Sequence, residues 1–166
     1  MPTKLNVGCG GTRMPGYVGI DFRKTKATDH VTSADRLPYN AQEVDEIFSS
    51  HLLEHIEDIN STFSEWYRVL KPNGKLVIRV PDFEVYCKLF LERKWDWKST
   101  WGLRYIFGYQ RRKGDVHYSG WWKERFKKEL PRHGFRILDM KNIDTRQTNG
   151  PQHIKGGDIW VTAIKV

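Results

Sequence analysis

The stretch LNVGCGGTRMPGYVGID, Leu5 to Asp21, constrains the chain most, because it sets five of the fourteen glycines between two short apolar runs. A buried strand that ends in Gly-x-Gly lets backbone N–H groups approach a polar or anionic ligand without side-chain obstruction. An acid at the tip of the next strand can accept two hydrogen bonds from ribose hydroxyls. Gly8, Gly10 and Asp21 supply both features. Three ligand classes share the arrangement: nicotinamide or flavin dinucleotides, phosphates alone, and S-adenosylmethionine. The dinucleotide fingerprint asks for a third glycine where Arg13 stands, and for an acid about 20 residues on. Asp21 follows Gly8 by only thirteen residues. No Gly-Lys-Ser/Thr follows the turn, which excludes a phosphate loop. A ten-residue helix needs about 15 Å of axial length, so the crossover Gly11–Gly16 has room for one helical turn at most.

The rest of the chain alternates strand and helix signals. Leu5–Gly8, Tyr17–Ile20, a very short His30–Thr32 and Val44–Ser50 read as strands. Leu52, Leu53, Ile56, Ile59, Phe63, Trp66, Tyr67 and Leu70 recur at three- and four-residue spacings, which predicts a helix with one break near Asn60. The KPNG turn leads into KLVIRV, a central strand stopped by Pro81. A helix is expected around Val85–Arg93, and WWKERFKKEL reads as an amphipathic helix ahead of Pro131–Gly134. FRILDMKNI and DIWVTAIKV close the chain as two strands, joined by a loop containing Asn149, Gly150 and Pro151. This order predicts a single α/β domain over residues 1–166, with a largely parallel sheet and a closing antiparallel hairpin.

At 166 residues, 39% hydrophobic and 29% charged, the chain suits one soluble domain. No apolar run approaches membrane-spanning length, and the glycine turn arrives too early for a leader segment. Two cysteines, Cys9 and Cys87, suggest no disulfide framework, so a reducing, cytoplasmic setting is expected. The net charge of +8 is concentrated: residues 88–136 carry 14 Lys/Arg against 5 Asp/Glu, whereas residues 1–87 carry 10 against 12. That basic segment also holds five of the seven tryptophans.

LNVGCG, GID, ADRLPY, VDEIFSSHLLEHI, EWYRVLKPNGKLVIRVPD and HGFRI occur in the order of related segments in class I S-adenosylmethionine-dependent methyltransferases. The chain most resembles the small methyltransferase type 11 group, closely over residues 4–82 and more thinly over 116–166. The resemblance implies a Rossmann-like sheet, S-adenosylmethionine as cofactor and S-adenosylhomocysteine as product. It implies that Gly8, Cys9 and Gly10 pass under the methionine and ribose of the cofactor. Asp21 would bind the ribose hydroxyls and Phe22 would pack near adenine. Ser33, Ala34 and Asp35 would line the adenine edge, and Ser49, Ser50 and His51 would face the sulfonium.

Three departures stand out. Asn6 replaces an acid that assists the cofactor's amino group in many members of the class. Ser33 falls where relatives often place an adenine-reading aspartate. The first crossover is shortened and no lid helices precede Leu5, so the expectation is a minimal, open cofactor site covered by residues 83–120.

For chemistry, His51 at the end of the fourth strand is the candidate base, with His117 second. Asp82, His117 and Tyr118 are candidate substrate contacts near the same sheet edge. His51 and His55 have i, i+4 spacing, but HLLEH is not His-Glu-x-x-His and no third ligand is evident, so no metal site is expected. The basic, aromatic segment suits an anionic or sugar- or nucleotide-like acceptor, or nucleic acid across residues 88–136. The rival expectation is a non-catalytic binding module on the same fold; a dinucleotide oxidoreductase is disfavoured by Arg13 and the short spacing.

Overall fold

The computed structural model describes residues 2–92, 103–111, 114–145 and 154–166. Seven strands form one sheet in the order β3-β2-β1-β4-β5-β7-β6. β1 (Lys4–Val7) lies parallel between β2 (Val18–Asp21) and β4 (Val44–Ser50), and β2 pairs in parallel with the two-residue β3 (His30–Val31). β4 pairs in parallel with β5 (Leu70–Pro81). β6 (Phe135–Thr145) and β7 (Ile154–Lys165) are antiparallel, and β7 inserts between β5 and β6. This is the expected α/β sheet with its closing hairpin.

Strand order reverses between β1 and β4, so their carboxyl ends diverge and leave the crevice in which open α/β sheets bind ligands. The glycine turn leaves β1 at that crevice and His51 leaves β4 beside it. The strands on either side of this point carry Leu5, Val7, Ile47, Leu76, Ile78 and Val80, all buried, as covered parallel strands require.

Helix α1 (Ile59–Val69) packs Phe63, Trp66 and Val69 into the core. Its Asp58 cap accepts from the Ser61 N–H at 3.0 Å. The predicted helix over Leu52–Leu70 breaks earlier than expected. Leu53–His55 forms a 3-10 turn, and Asp58 rather than Asn60 starts the α-helix. The KPNG segment is a bulge inside β5: Leu70 pairs with Val44 and Lys75 with Glu46, and Asn73 has φ +61°.

α2 (Phe83–Leu91) starts two residues before its expected position because Asp82 caps it, accepting from the Glu84 N–H at 3.1 Å. α3 (Leu103–Phe107) and α4 (Lys123–Arg132) follow. Phe126 of α4 stacks on Trp121 at 4.7 Å, and both join Phe63 and Phe135 in one aromatic core. Residues 11–16 form turns without helix. Trp95, Trp97, Trp101 and the Asn149–Pro151 loop lie outside the described residues. Among the described residues, no helix is long and apolar enough to cross a membrane.

Candidate active site

A cavity of about 610 Å³ opens at the point where strand order reverses. Its first end is built by the glycine turn. Gly8, at φ +77°, and Cys9 both donate their N–H groups to the Ile20 carbonyl, at 2.8 and 3.0 Å. Gly10, at φ +52°, faces open space: a Cβ there would meet no atom within 4 Å. Its N–H donates to Asp21 Oδ2 at 2.8 Å, and Arg23 N–H donates to Oδ1 at 2.9 Å. Asp21 is thereby aimed along the cavity wall. Phe22, Ser33 and Ala34 continue the lining. Trp66 fixes that edge from below, its indole N–H donating to the Ala34 carbonyl at 3.0 Å.

The other residues expected at this end lie behind the wall. Asn6 is buried and its amide donates to the Thr12 carbonyl at 3.4 Å, which ties the glycine turn to its own exit. The Cys9 sulfur points at Ala27 O and Thr28 Oγ1, and burial pushes its thiol pKa up, so it serves packing. Asp35 is turned away from the cavity and accepts from the Ser33 hydroxyl. Neither Ser49 nor Ser50 lines the cavity, and Ser49 Oγ is buried without a partner among the described residues.

The second end gathers groups from distant parts of the chain. His51 leaves β4 at φ +52°, its N–H held by the Arg79 carbonyl at 2.8 Å. Its ring lies between two carboxylates, with Nε2 3.2 Å from Asp158 and Nδ1 3.5 Å from Glu54. Burial opposes the charged ring, but the hydrogen bonds to Asp158 and Glu54 outweigh it and push the His51 pKa up to about 9. Asp158 is fully buried and also accepts from Arg79 at 2.6 Å and from the Thr145 hydroxyl at 2.9 Å. Burial alone would raise its pKa; His51 and Arg79 bring it below the ordinary carboxylate value.

His55 does not share a helical face with His51, because the 3-10 turn separates their directions. Instead its ring meets His117 edge to face, at 4.5 Å between centroids. Each of these rings has its Nδ1 against a backbone carbonyl, Val116 O at 2.9 Å for His55 and Tyr105 O at 3.0 Å for His117. Burial lowers the His117 pKa. The segment of His117 is joined to Glu54 through the backbone, since Tyr118 N–H donates to Glu54 O at 2.8 Å.

Two residues expected to touch substrate do something else. Asp82 is buried as the α2 cap and accepts from the Asn142 amide at 2.6 Å. The Tyr118 ring is exposed and lies outside the lining. The cover comes from α3 and the following loop. Arg104, Tyr105, Tyr109 and Gly114 line the cavity, with Tyr105 stacked on Tyr86 at 4.2 Å. A Cβ on Gly114, at φ +88°, would lie 2.7 Å from the Phe22 ring, so Gly114 sits directly against the first end.

Glu54, Asp158, Thr145 and Tyr105 were not singled out by sequence reasoning. One signal was available: an aspartate at the head of the mostly apolar run DIWVTAIKV is a charge that needs partners if buried.

A family model described as a methyltransferase domain, of the type 11 kind, matches residues 5–78. No curated protein matches the sequence. The chain is similar in fold to a SAM-dependent methyltransferase from Methanosarcina mazei, at 17% identity and TM-score 0.66, covering 99% of this chain and 92% of that one. An S-adenosylmethionine-dependent methyltransferase from Listeria monocytogenes matches at 14% identity and TM-score 0.64, covering 99% and 91%. The 1,6-didemethyltoxoflavin-N1-methyltransferase of Burkholderia thailandensis, solved with 1,6-didemethyltoxoflavin and S-adenosylhomocysteine, matches at 13% and TM-score 0.64, covering 99% and 71%. Likeness at these identities speaks for the fold, and the family match speaks for the glycine turn and the strands around it. Together they make residues 5–78 similar to a methyltransferase domain and the whole chain similar in fold to S-adenosylmethionine-dependent methyltransferases.

Proposed function

We propose that the chain transfers the methyl group of S-adenosylmethionine to a small acceptor held at the second end of the cavity. The observation that carries this reading is continuity: one cavity is lined by Gly8, Gly10 and Asp21 at one end and by His51, Glu54 and His117 at the other. The residues present fit the cofactor. Gly10 offers bare backbone where a side chain would project into the cavity. Asp21 is held by two backbone N–H groups, and each oxygen keeps lone pairs for the ribose hydroxyls. Phe22 and Ala34 supply apolar surface for the adenine.

When bound, the cofactor supplies an electrophilic methyl group on a sulfonium. The work of the chain is then to hold an acceptor in line with it, and such positioning supplies several kcal/mol of a bimolecular barrier. Arg104, Tyr105 and Tyr109 are suited to that task, because a guanidinium and flat rings favour an anionic, sugar-bearing or nucleotide-like acceptor. The cavity volume falls in the range of small-molecule sites, about 300–1,000 Å³.

Calorimetric titration with S-adenosylmethionine and S-adenosylhomocysteine, with NADH as control, tests the reading. Micromolar binding of both adenosyl ligands and none of NADH is expected. The Asp21→Ala variant loses two charge-assisted hydrogen bonds worth about 1.5–3 kcal/mol each, so its affinity falls at least ~tenfold. Wild-type protein that binds neither adenosyl ligand would overturn the proposal.

A further inference from the structure

We infer that Glu54, His55 and His117 form a binding site for a divalent transition-metal ion of the zinc type, at the second end of the cavity. One carboxylate oxygen of Glu54 and one ring nitrogen of each histidine lie within 4.8 Å of one another. A carbonyl oxygen only accepts, so the bonds to Val116 O and Tyr105 O place the proton of each neutral ring on Nδ1. Both Nε2 atoms are left as lone-pair donors. Fixing the tautomer through an Nδ1–H to a backbone carbonyl is the usual outer-shell device of metal-bound histidines.

Glu54 gives the independent observation. It is only 2% exposed, and its Oε2 has no hydrogen-bond partner among the described residues. A buried carboxylate oxygen without a donor, beside two imidazoles whose Nδ1 protons are already engaged, is a set of acceptors that a cation relieves. Two imidazoles and one carboxylate are also the ligand set of catalytic zinc and non-haem iron sites that keep open positions. Tetrahedral zinc with bonds of about 2.0–2.1 Å holds its ligand atoms about 3.3 Å apart. Tyr118 N–H ties the His117 segment to the Glu54 carbonyl, which keeps the three side chains within reach of one ion. All three residues line the cavity, so further ligand positions on the ion are reachable from it.

The inference stands apart from the methyl-transfer reading, and its test uses no cofactor. Chelator-treated full-length protein is titrated with Zn²⁺ by calorimetry and with Co²⁺ by visible absorption. One ion per chain is expected, with the d–d bands of low-coordinate Co²⁺. His55→Ala and His117→Ala each weaken Zn²⁺ by at least ~100-fold, beyond the 10–100-fold typical of outer-shell changes. The His30→Ala control, on an exposed histidine, leaves binding unchanged. Glu54→Gln keeps the shape of the buried side chain, and its thermal melt separates a lost ligand from a lost fold. Wild-type protein that takes up no stoichiometric ion overturns the inference. So does binding that survives in the folded His55→Ala/His117→Ala double variant, or cobalt without d–d bands. The last two results mean that any ion sits elsewhere or that Glu54 and the histidines share a proton instead.

Discussion

The two ends of the cavity are built by opposite strategies. The first end, proposed for the cofactor, comes from one short run of chain, Gly8 to Ala34, and its shape is mostly backbone: positive-φ glycines, N–H groups aimed at Asp21, and a carbonyl pinned by Trp66. The second end, proposed for the acceptor, draws His51 with Glu54, Tyr105, His117 and Thr145 from four stretches of chain, and buried charge holds it together through Asp158. A backbone cradle tolerates loss of a single contact with a loss of affinity. A charge hub tolerates it badly, because its charged partners lose their fully buried counter-charge.

Asp158→Ala is therefore expected to have the largest effect. It takes the carboxylate from the Arg79 guanidinium and leaves the charged His51 ring with Glu54 alone, around an empty, fully buried position. Breaking such a pair costs about 3–5 kcal/mol, read from the midpoint of urea unfolding. Asp21→Ala removes a carboxylate that borders the cavity, and its unfolding free energy moves far less than its affinity for S-adenosylhomocysteine. Equal losses of stability in the two variants would break the comparison and make Asp21 a structural residue.

The contrast also explains what was legible in the sequence. Gly8, Gly10 and Asp21 are near neighbours in the chain, so their spacing was readable, and the family resemblance added Phe22, Ser33 and Ala34 beside them. The sheet was legible for a similar reason, since each strand announces itself by its own apolar run. The acceptor end depends on register and crossing elements. Pro81 pairs with Asp158 across β5 and β7, which no local pattern encodes. His55 meets His117 where the backbone bond from Tyr118 to Glu54 joins two distant segments. The apolar periodicity through Leu52, Leu53 and Ile56 read as a continuous helix because a 3-10 turn buries nearly the same positions. That misreading put His51 and His55 on one face and hid the Glu54, His55 and His117 cluster.

Gly114→Ala tests whether the two ends are as separate as this account has them. The residue belongs to the segment that covers the acceptor end, yet it rests on Phe22 at the cofactor end. A side chain at φ +88° costs about 1–2 kcal/mol, and the added methyl must also displace either the loop or the ring. Affinity for S-adenosylhomocysteine is expected to fall by roughly 3–10-fold, measured by calorimetry, with the fold intact. Unchanged affinity would mean that the loop lies over Phe22 without forming a wall of the cofactor end.

The smallest effect is expected at Asp82, where position and environment point in different directions. It lies at the carboxyl edge of the sheet, the place for a substrate contact, but it is buried and caps α2. Removing the carboxylate in Asp82→Ala leaves Glu84 N–H at the water-accessible start of a helix. The Asn142 amide keeps its second acceptor, Gly156 O at 3.0 Å. No charge is stranded, unlike at Asp158, so the cost is that of one cap, about 1 kcal/mol. A thermal melt lowered by a few degrees, with S-adenosylhomocysteine affinity within about twofold, is the expected result. A melt identical to wild type would show that the cap contributes nothing, and a larger loss of S-adenosylhomocysteine affinity would show that the carboxylate acts on the site.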